Sequence, residues 1–237
     1  MTRFMIVDNR YVNVAKRAWG DRYEIIPSVT SSHLAESVSA HPDMVLYPLK
    51  EKMFICAPDC YEEYKKRFEE SGVELICGEK ELKSTYPCDI AYNILKTDNL
   101  ALGKFQETDP VILKYLKKQK IELVNVNQGY TKCSVCVFSD CAITADSGIF
   151  SALNKKGIDT LKIPCGEIKL KGYDYGFIGG ASGENHEGEV FFFGDLDSVS
   201  YGGKIREFIL SKGKTLCEIK NYPLTDVGTI MFCWIYK

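Results

Sequence analysis

Long hydrophobic runs and an excess of charge of one sign are both missing from this sequence. Its strictly apolar runs are short, as at residues 231–236, against the ~20 residues that a membrane-spanning helix needs. The 30 Lys and Arg residues are offset by 32 Asp and Glu residues, so no nucleic-acid-binding surface is indicated. Near the N-terminus, the apolar residues 4–7 end at Asp8 and are too few for a signal peptide. We therefore expect a soluble, cytoplasmic protein with neither a membrane nor a nucleic acid as partner.

Histidine is scarce, with three residues, whereas cysteine is common, with ten. Without an export signal the cysteines are expected to be reduced thiols rather than a disulfide framework. Four of them lie within apolar runs and are predicted to be small buried residues: Cys56, Cys77, Cys136 and Cys233. Three cysteines, of which Cys136 is one, lie close together at residues 133–141, but no histidine follows them at the spacing of a zinc site. We predict no metal and no cofactor.

An internal repeat organises the chain. Apolar residues at helical spacing predict five amphipathic helices, at residues 9–19, 61–70, 109–118, 147–156 and 203–212. Each helix is followed by one strand-like run, and two more such runs precede the next helix. The predicted unit is therefore strand, strand, helix, strand, repeated five times. Four of the five helix ends coincide with glycine, where a left-handed backbone is expected: Gly20, Gly72, Gly157 and Gly213.

Other repeat architectures fit this pattern less well. The blades of WD40 and kelch propellers have four strands and no helix, and a doubly wound parallel sheet has single strands between its helices. A ring of five α/β units is the better fit, in one domain that spans residues 1–237. Closure removes exposed sheet edges, so the lone opening strand at residues 3–7 is expected to pair with the last strand at residues 231–236.

Four segments of this repeat resemble one known fold family. Five strand–strand–helix–strand units around a channel are similar to the pentein, or guanidino-group-modifying-enzyme, fold, an α/β propeller with five-fold pseudo-symmetry. The segments VNQGYTKCS (126–134), ITADSGI (143–149), GYDYGFIGGASG (172–183) and LTDVG (224–228) resemble a bacterial family of uncharacterised function within that fold. The superfamily includes arginine deiminase, dimethylarginine hydrolase, agmatine deiminase, amidinotransferases and a non-enzymatic ribosome anti-association factor.

The resemblance implies a Cys nucleophile on the last unit, a His base on the third, and carboxylates that bind a guanidinium group. This chain departs from that pattern twice. Its last unit has Cys233 five residues beyond Gly228 and inside an apolar run, where packing is the expected role. Its three histidines, His33, His41 and His186, all lie outside the third unit. The residue roles of the deiminases therefore do not transfer directly.

Five polar residues occupy equivalent positions near predicted strand starts: Asp43, Asp89, Ser134, Tyr175 and Asp226. Equivalent positions in a ring face one axis, so we predict that these residues bind a ligand there. Three carboxylates around one channel repel each other unless a cation neutralises them, which favours a small cationic ligand, such as a guanidino compound. The alternative is that the three Asp residues only stabilise turns.

Cys133 and His41 are the candidate catalytic residues. The adjacent Lys132 is expected to lower the pKa of the Cys133 thiol, and His41 lies two residues before Asp43, close enough to act as a base. Two functions stay open. One is a hydrolase or amidinotransferase-like enzyme that acts on guanidino compounds, and the other is a non-catalytic binding or interaction module. The oligomeric state, including a homo-oligomer, is left open.

Overall fold

A computed structural model describes residues 2–50, 52–69 and 71–235 of the chain. Predicted positions at Glu51 (a turn), Glu70 (a helix end) and Tyr236 (the last strand) lie outside these ranges. Within them the helices are α1 (Val12–Trp19), α2 (Pro42–Val45), α3 (Pro58–Phe68), α4 (Pro110–Lys118), α5 (Ser147–Lys155) and α6 (Gly202–Ser211), with 3-10 turns at Asn9–Tyr11 and Leu196–Ser198.

The strands are short, mostly of four residues. They are β1 (Thr2–Val7), β2 (Glu24–Pro27), β3 (Leu46–Lys50), β4 (Met53–Cys56), β5 (Glu74–Cys77), β6 (Leu95–Lys96), β7 (Leu100–Gly103), β8 (Glu122–Asn125), β9 (Val135–Phe138), β10 (Cys141–Thr144), β11 (Asp159–Lys162), β12 (Ser182–Glu184), β13 (Glu189–Phe192), β14 (Thr215–Glu218) and β15 (Met231–Ile235).

These strands form five mixed sheets of three strands each. Their orders are β15-β1-β2, β3-β4-β5, β6-β7-β8, β9-β10-β11 and β12-β13-β14. In every sheet the first pair is antiparallel and the second pair is parallel. A helix connects the two parallel strands each time, because a parallel connection needs a crossover. The α/β class and the repeated strand–strand–helix–strand unit are therefore confirmed.

The two ends of the chain meet in one sheet. Strand β1 pairs antiparallel with β15, so that Thr2 lies opposite Ile235 and Ile6 lies opposite Met231. The opening strand therefore completes the sheet of the last unit, and this predicted pairing is confirmed for the described residues.

Most local boundaries follow their sequence signals. Asp109 caps α4 by accepting the backbone N–H of Val111, and Pro110 is its first residue. Gly72, Gly157 and Gly213 have φ of 70°, 77° and 69°. Gly20 is an exception, because its φ of −68° continues the right-handed helix.

The first strands of four units begin later than predicted; β15 begins at Met231, beyond the predicted start near Asp226. Asp43 lies in the one-turn helix α2, residues 89–94 form turns before β6, and residues 175–178 are irregular. After residues 175–178 the first strand is β12, inside the glycine-rich segment 179–188, for which the sequence predicts a long turn. The cause is a buried carboxylate: Asp226 accepts the backbone N–H of Phe177 at 2.8 Å, a bond that satisfies this backbone group outside a sheet.

The core lies between the helices and the sheets. Ile112 and Leu116 of α4, like Ile149 and Leu153 of α5, are fully buried, and each such side chain contributes about 1.5–3 kcal/mol. No helix in residues 2–50, 52–69 and 71–235 is both long and apolar enough to span a membrane.

All ten cysteines are free thiols. Cys56, Cys136 and Cys233 are buried as predicted. Cys77 is exposed, which corrects its prediction, because it ends the outer strand β5 of its sheet.

Asp109 links α4 to the preceding loop and should be a large single contributor to stability. Its buried carboxylate accepts the backbone N–H groups of Glu79, Lys80 and Val111 at 2.7–2.8 Å. We expect Asp109→Ala to lower the free energy of unfolding by about 2–4 kcal/mol, because these donors lose their acceptor. Urea denaturation measures the change. Asp159→Ala, which removes an exposed ion pair with Lys212, is the control and should cost less than ~1 kcal/mol. Equal losses in the two variants would contradict this role.

Candidate functional site

A cavity of about 270 Å³ collects residues from loops far apart in the sequence. Its polar lining includes His41, Cys133 and Asp226, and much of its wall is aromatic. Four ring side chains form that wall: Tyr130, Tyr173, Tyr175 and Phe177. Of the seven residues predicted to form the site, the structure thus brings four to this cavity: His41, Cys133, Tyr175 and Asp226.

Cys133 is buried and held by two side chains. Its Sγ donates to Asp43 Oδ2 at 3.1 Å and accepts from Asn93 Nδ2 at 2.9 Å. The amide oxygen of Asn93 in turn accepts the backbone N–H groups of Lys132 and Cys133 at 2.9 and 3.2 Å. Asn93 therefore positions the thiol. Sequence reasoning missed it, although a fully buried Asn within the apolar run 90–95 is a signal that could have found it.

The charges around Cys133 keep its thiol protonated. Burial raises the pKa of Cys133 well above its ordinary value, and the negative charges of Asp43 and Asp226 raise it further. The expected lowering of this pKa by Lys132 is therefore wrong, because the acidic neighbours and burial outweigh it. Burial also lowers the pKa of the Lys132 ammonium group itself.

Asp43 stands behind the thiol. Its Oδ2 also accepts from Thr229 Oγ1 at 2.6 Å, and its backbone N–H donates to the carbonyl of Gly228 at 3.1 Å. Its Oδ1 is buried and has no hydrogen-bond partner among the described residues. One carboxylate oxygen is therefore free to accept a further donor.

His41 lies between two buried acids. Its Nδ1 is 3.8 Å from Asp226 Oδ1, and its Nε2 is 3.8 Å from Asp8 Oδ2. Asp8 is held in place by the Arg10 guanidinium, whose Nε is 2.9 Å from Asp8 Oδ1. Sequence reasoning used Asp8 only as the end of an apolar run, although an acid and a base two residues apart directly after a strand form a recognisable local pair.

Asp226 is buried, and backbone donors surround its carboxylate. Oδ1 accepts from the N–H of Gly228 at 3.0 Å, and Oδ2 accepts from the N–H of Phe177. Burial raises the pKa of Asp226 and the charge of Asp43 adds to this, while His41 and the two N–H groups act in the opposite direction. Asp226 is thus both a turn residue, as the alternative prediction held, and a wall of the cavity.

Two glycines allow the backbone to approach these groups closely. A Cβ on Gly180 would overlap the carboxylate of Asp226, and a Cβ on Gly228, whose φ is +70°, would overlap the side chain of His41. Any larger side chain at either position would displace a site residue.

The remaining predicted site residues lie outside this cavity. Asp89 is buried, and its Oδ2 accepts from Tyr130 OH at 2.5 Å, so it supports one aromatic wall. Ser134 lines a neighbouring cavity. Across the described ranges, no group of three His, Cys, Asp or Glu residues has the arrangement of a metal site.

Comparison with known proteins gives one family model and several solved structures of similar fold. A model described as "Family of unknown function (DUF6873)" matches residues 6–231. A comparison with curated proteins gives no match.

Three solved structures are similar over most of the chain. A Cys-to-Ser mutant of DDAH from Pseudomonas aeruginosa complexed with citrulline has a TM-score of 0.53 at 10% identity and covers 93% of this chain and 92% of its own. A dimethylarginine dimethylaminohydrolase adduct with 4-chloro-2-hydroxymethylpyridine has a TM-score of 0.57 at 12% identity and covers 93% of each chain. SxtG, an amidinotransferase from Microseira wollei in the saxitoxin biosynthetic pathway, has a TM-score of 0.52 at 10% identity and covers 89% of this chain and 73% of its own. At these identities the likeness concerns the fold alone: the predicted resemblance to the fold of these proteins is confirmed, as an α/β fold with five small mixed sheets.

Proposed function

For this chain, which belongs to the Family of unknown function (DUF6873), we propose that the cavity at Cys133 binds a small guanidino compound and that Cys133 acts on it. The function is that of a hydrolase or an amidinotransferase-like enzyme. One observation carries the proposal: the carboxylates of Asp43 and Asp226 are buried beside the thiol, and among the described residues only His41 forms an ion pair with either of them. A cationic ligand would supply the missing charge.

The ring arrangement of the units is part of this proposal. In each unit the loop before the first strand supplies one group near the cavity: Asp43 before β3, Asn93 before β6, Cys133 before β9, Phe177 before β12 and Asp226 before β15. The pairing of β1 with β15 joins the first and last units. Both observations support five units around one axis, with the cavity at that axis.

The chemistry of the walls suits a planar cation. Aromatic faces attract cations, and Tyr130 and Tyr175 each lie 6.3 Å from Phe177, measured between ring centroids. A guanidinium donates through several N–H groups, and carboxylates are its best acceptors. The carboxylate of Asp226, which lines the cavity, is the acceptor that we assign to it. The buried carboxylate of Asp43 lies on the other side of the Cys133 thiol and adds negative charge.

A bound cation would also prepare the nucleophile. It opposes the negative charges that raise the pKa of Cys133, so the thiol proton can pass to Asp43 Oδ2, 3.1 Å away. The thiolate then attacks the guanidinium carbon, an S–C bond forms, and a C–N bond breaks as the departing nitrogen takes a proton. We assign that proton transfer to His41, which lines the same cavity. Water then attacks the carbon of the adduct and gives a proton to His41; the C–S bond breaks, Cys133 takes back the proton held by Asp43, and a ureido product leaves. An amine in place of water gives an amidino transfer by the same steps.

A second candidate is a non-catalytic binding module. The raised pKa of Cys133 favours it, because a protonated thiol is a poor nucleophile. In that case the aromatic walls and acids bind a cation and no bond changes.

Thiol labelling by a small neutral reagent, followed by mass spectrometry, tests the site. We expect the exposed Cys77 and Cys165 to react first at neutral pH, while Cys133 reacts slowly and faster only as the pH rises above ~9. Agmatine should protect Cys133 and leave the two exposed cysteines unaffected, because it occupies only the cavity.

The exposed Cys165 serves as the internal control for reagent quality. Labelling of Cys133 that agmatine and arginine do not change would argue against a ligand at this position. Labelling of Cys133 faster than Cys165 at neutral pH would contradict the protonated thiol.

A further inference from the structure

A second cavity, of about 370 Å³, lies beside the first and has no role in the proposal above. Tyr175 and Phe177 line both cavities. Its other walls come from the start of α5, the loop after β11, and Ser134 just before β9. It is therefore a separate compartment with its own set of groups.

Two residues that line this cavity, Ser134 and Tyr201, carry buried hydroxyl groups without a partner among the described residues. Ser134 and Tyr201 are each 3% exposed, and neither Ser134 Oγ nor the Tyr201 hydroxyl forms a hydrogen bond within residues 2–50, 52–69 and 71–235. A buried polar group without a partner is costly and rare in folded proteins. Two such residues in the lining of one cavity indicate a ligand that accepts or donates hydrogen bonds at these hydroxyl groups.

The cavity is close to neutral. Asp146 is the lining residue with a full charge, and its Oδ1 is 2.7 Å from the backbone N–H of Ile149, where it caps α5. This position sets its negative charge against the partial positive charge of the helix N-terminus. Lys162 donates to Ser147 Oγ at 2.6 Å and does not line the cavity. Neither a strong anion nor a strong cation is favoured.

Much of the remaining lining is apolar or aromatic, beside the polar side chains of Gln128 and Ser147. Ile163, Ile168 and Ile178 line the cavity together with the rings of Tyr175 and Phe177. Flat apolar groups pack well against such rings. The lining thus combines apolar walls with two residues that carry unpartnered hydroxyl groups.

We propose that this cavity is a second binding site, for an uncharged molecule that has an apolar ring and an oxygen able to accept hydrogen bonds from Ser134 and Tyr201. The site does not depend on cation binding at Cys133. Burial, with the charges of Glu167 and Cys165, raises the pKa of Tyr201 to about 12, so its phenol keeps its proton at neutral pH. Tyr201 is then a hydrogen-bond donor to the ligand oxygen.

Three probes that share one aromatic ring and differ in charge test this site: neutral benzamide, anionic benzoate and cationic benzamidine. Ligand-observed NMR titration of the full chain should detect benzamide, and benzoate should bind at least ~10-fold more weakly. Tyr201→Phe and Ser134→Ala should each weaken benzamide about 10-fold. Neither variant should lower the melting temperature, because in the free protein each hydroxyl has no partner to lose.

Tyr222→Phe is the matched control, because Tyr222 is a half-buried tyrosine that does not line the cavity, and benzamide should bind this variant as it binds the wild type. Benzamide binding that survives both site variants, or benzoate binding more tightly than benzamide, would overturn the proposal. So would a fall in melting temperature of several degrees in both variants. Benzamidine should bind at the other cavity, so its binding should fall in Asp226→Asn and stay unchanged in Tyr201→Phe. Benzamidine binding that falls in Tyr201→Phe instead would also overturn a site for an uncharged ligand.

Discussion

Cys133→Ser is expected to reduce the turnover of a guanidino substrate by at least ~10,000-fold. A serine hydroxyl is a much weaker acid than a thiol, so it does not form the anion that attacks the guanidinium carbon. Serine keeps the size and hydrogen-bonding ability of the thiol, so Asn93 and Asp43 retain a partner. The affinity for the substrate should therefore stay within ~3-fold of the wild type. Mass spectrometry of the products, with agmatine and arginine as substrates, measures the change.

Cys165→Ser is the control for this variant, because Cys165 is exposed and lies at the neighbouring cavity. Its turnover should match that of the wild type. If the wild type itself forms no product while it binds agmatine, the non-catalytic module is the better account. If Cys133→Ser retains wild-type turnover, Cys133 is not the nucleophile.

Asp226→Asn is expected to weaken the binding of agmatine by about 10- to 100-fold, because a buried charged acceptor is replaced by a neutral one. The sign of the pH dependence follows from the same group. Burial raises the pKa of Asp226, so the wild type should lose affinity as the pH falls through this raised pKa and the carboxylate gains a proton. Isothermal calorimetry of each variant at several pH values measures both effects.

Asp174→Asn is the matched control, because Asp174 is an exposed carboxylate at the rim of the same cavity. Exposed charge pairs are worth ~0–1 kcal/mol, so its affinity should change by less than ~5-fold. Asp43→Asn supplies a second variant in case the loss of an acceptor for Phe177 or Gly228 disturbs the fold. Equal affinities in all four proteins would contradict a cation site at these acids.

The repeat could be predicted because its signals are local. Pro110 after an acidic N-cap marks the start of α4, and Gly157 and Gly213 mark helix ends. The pairing of β1 with β15 followed from one further condition, that a ring leaves no free edge. Strands were predicted at residues 89–94 and 175–178, where the structure has none, because buried side chains bind the backbone there. The partners lie far away in the sequence: Asp226 accepts from the N–H of Phe177, and Thr131 donates to the carbonyl of Asn93.

The site was predictable only in part for the same reason. Cys133, His41 and Asp226 were chosen for their chemistry and do meet at one cavity. Asn93 and Thr229 were missed because their roles exist only once distant loops are packed together. The expected effect of Lys132 on the thiol was wrong, because adjacency in sequence says nothing about burial or about the acids opposite.

Calorimetric titration of the wild-type chain with agmatine and arginine tests the central claim most directly. We predict a saturable heat with one site per chain at neutral pH, which Asp226→Asn weakens and Asp174→Asn does not. Folded wild-type protein that gives no heat with either compound, at millimolar concentrations and across temperatures, would contradict a guanidinium-binding cavity at Cys133 and Asp226.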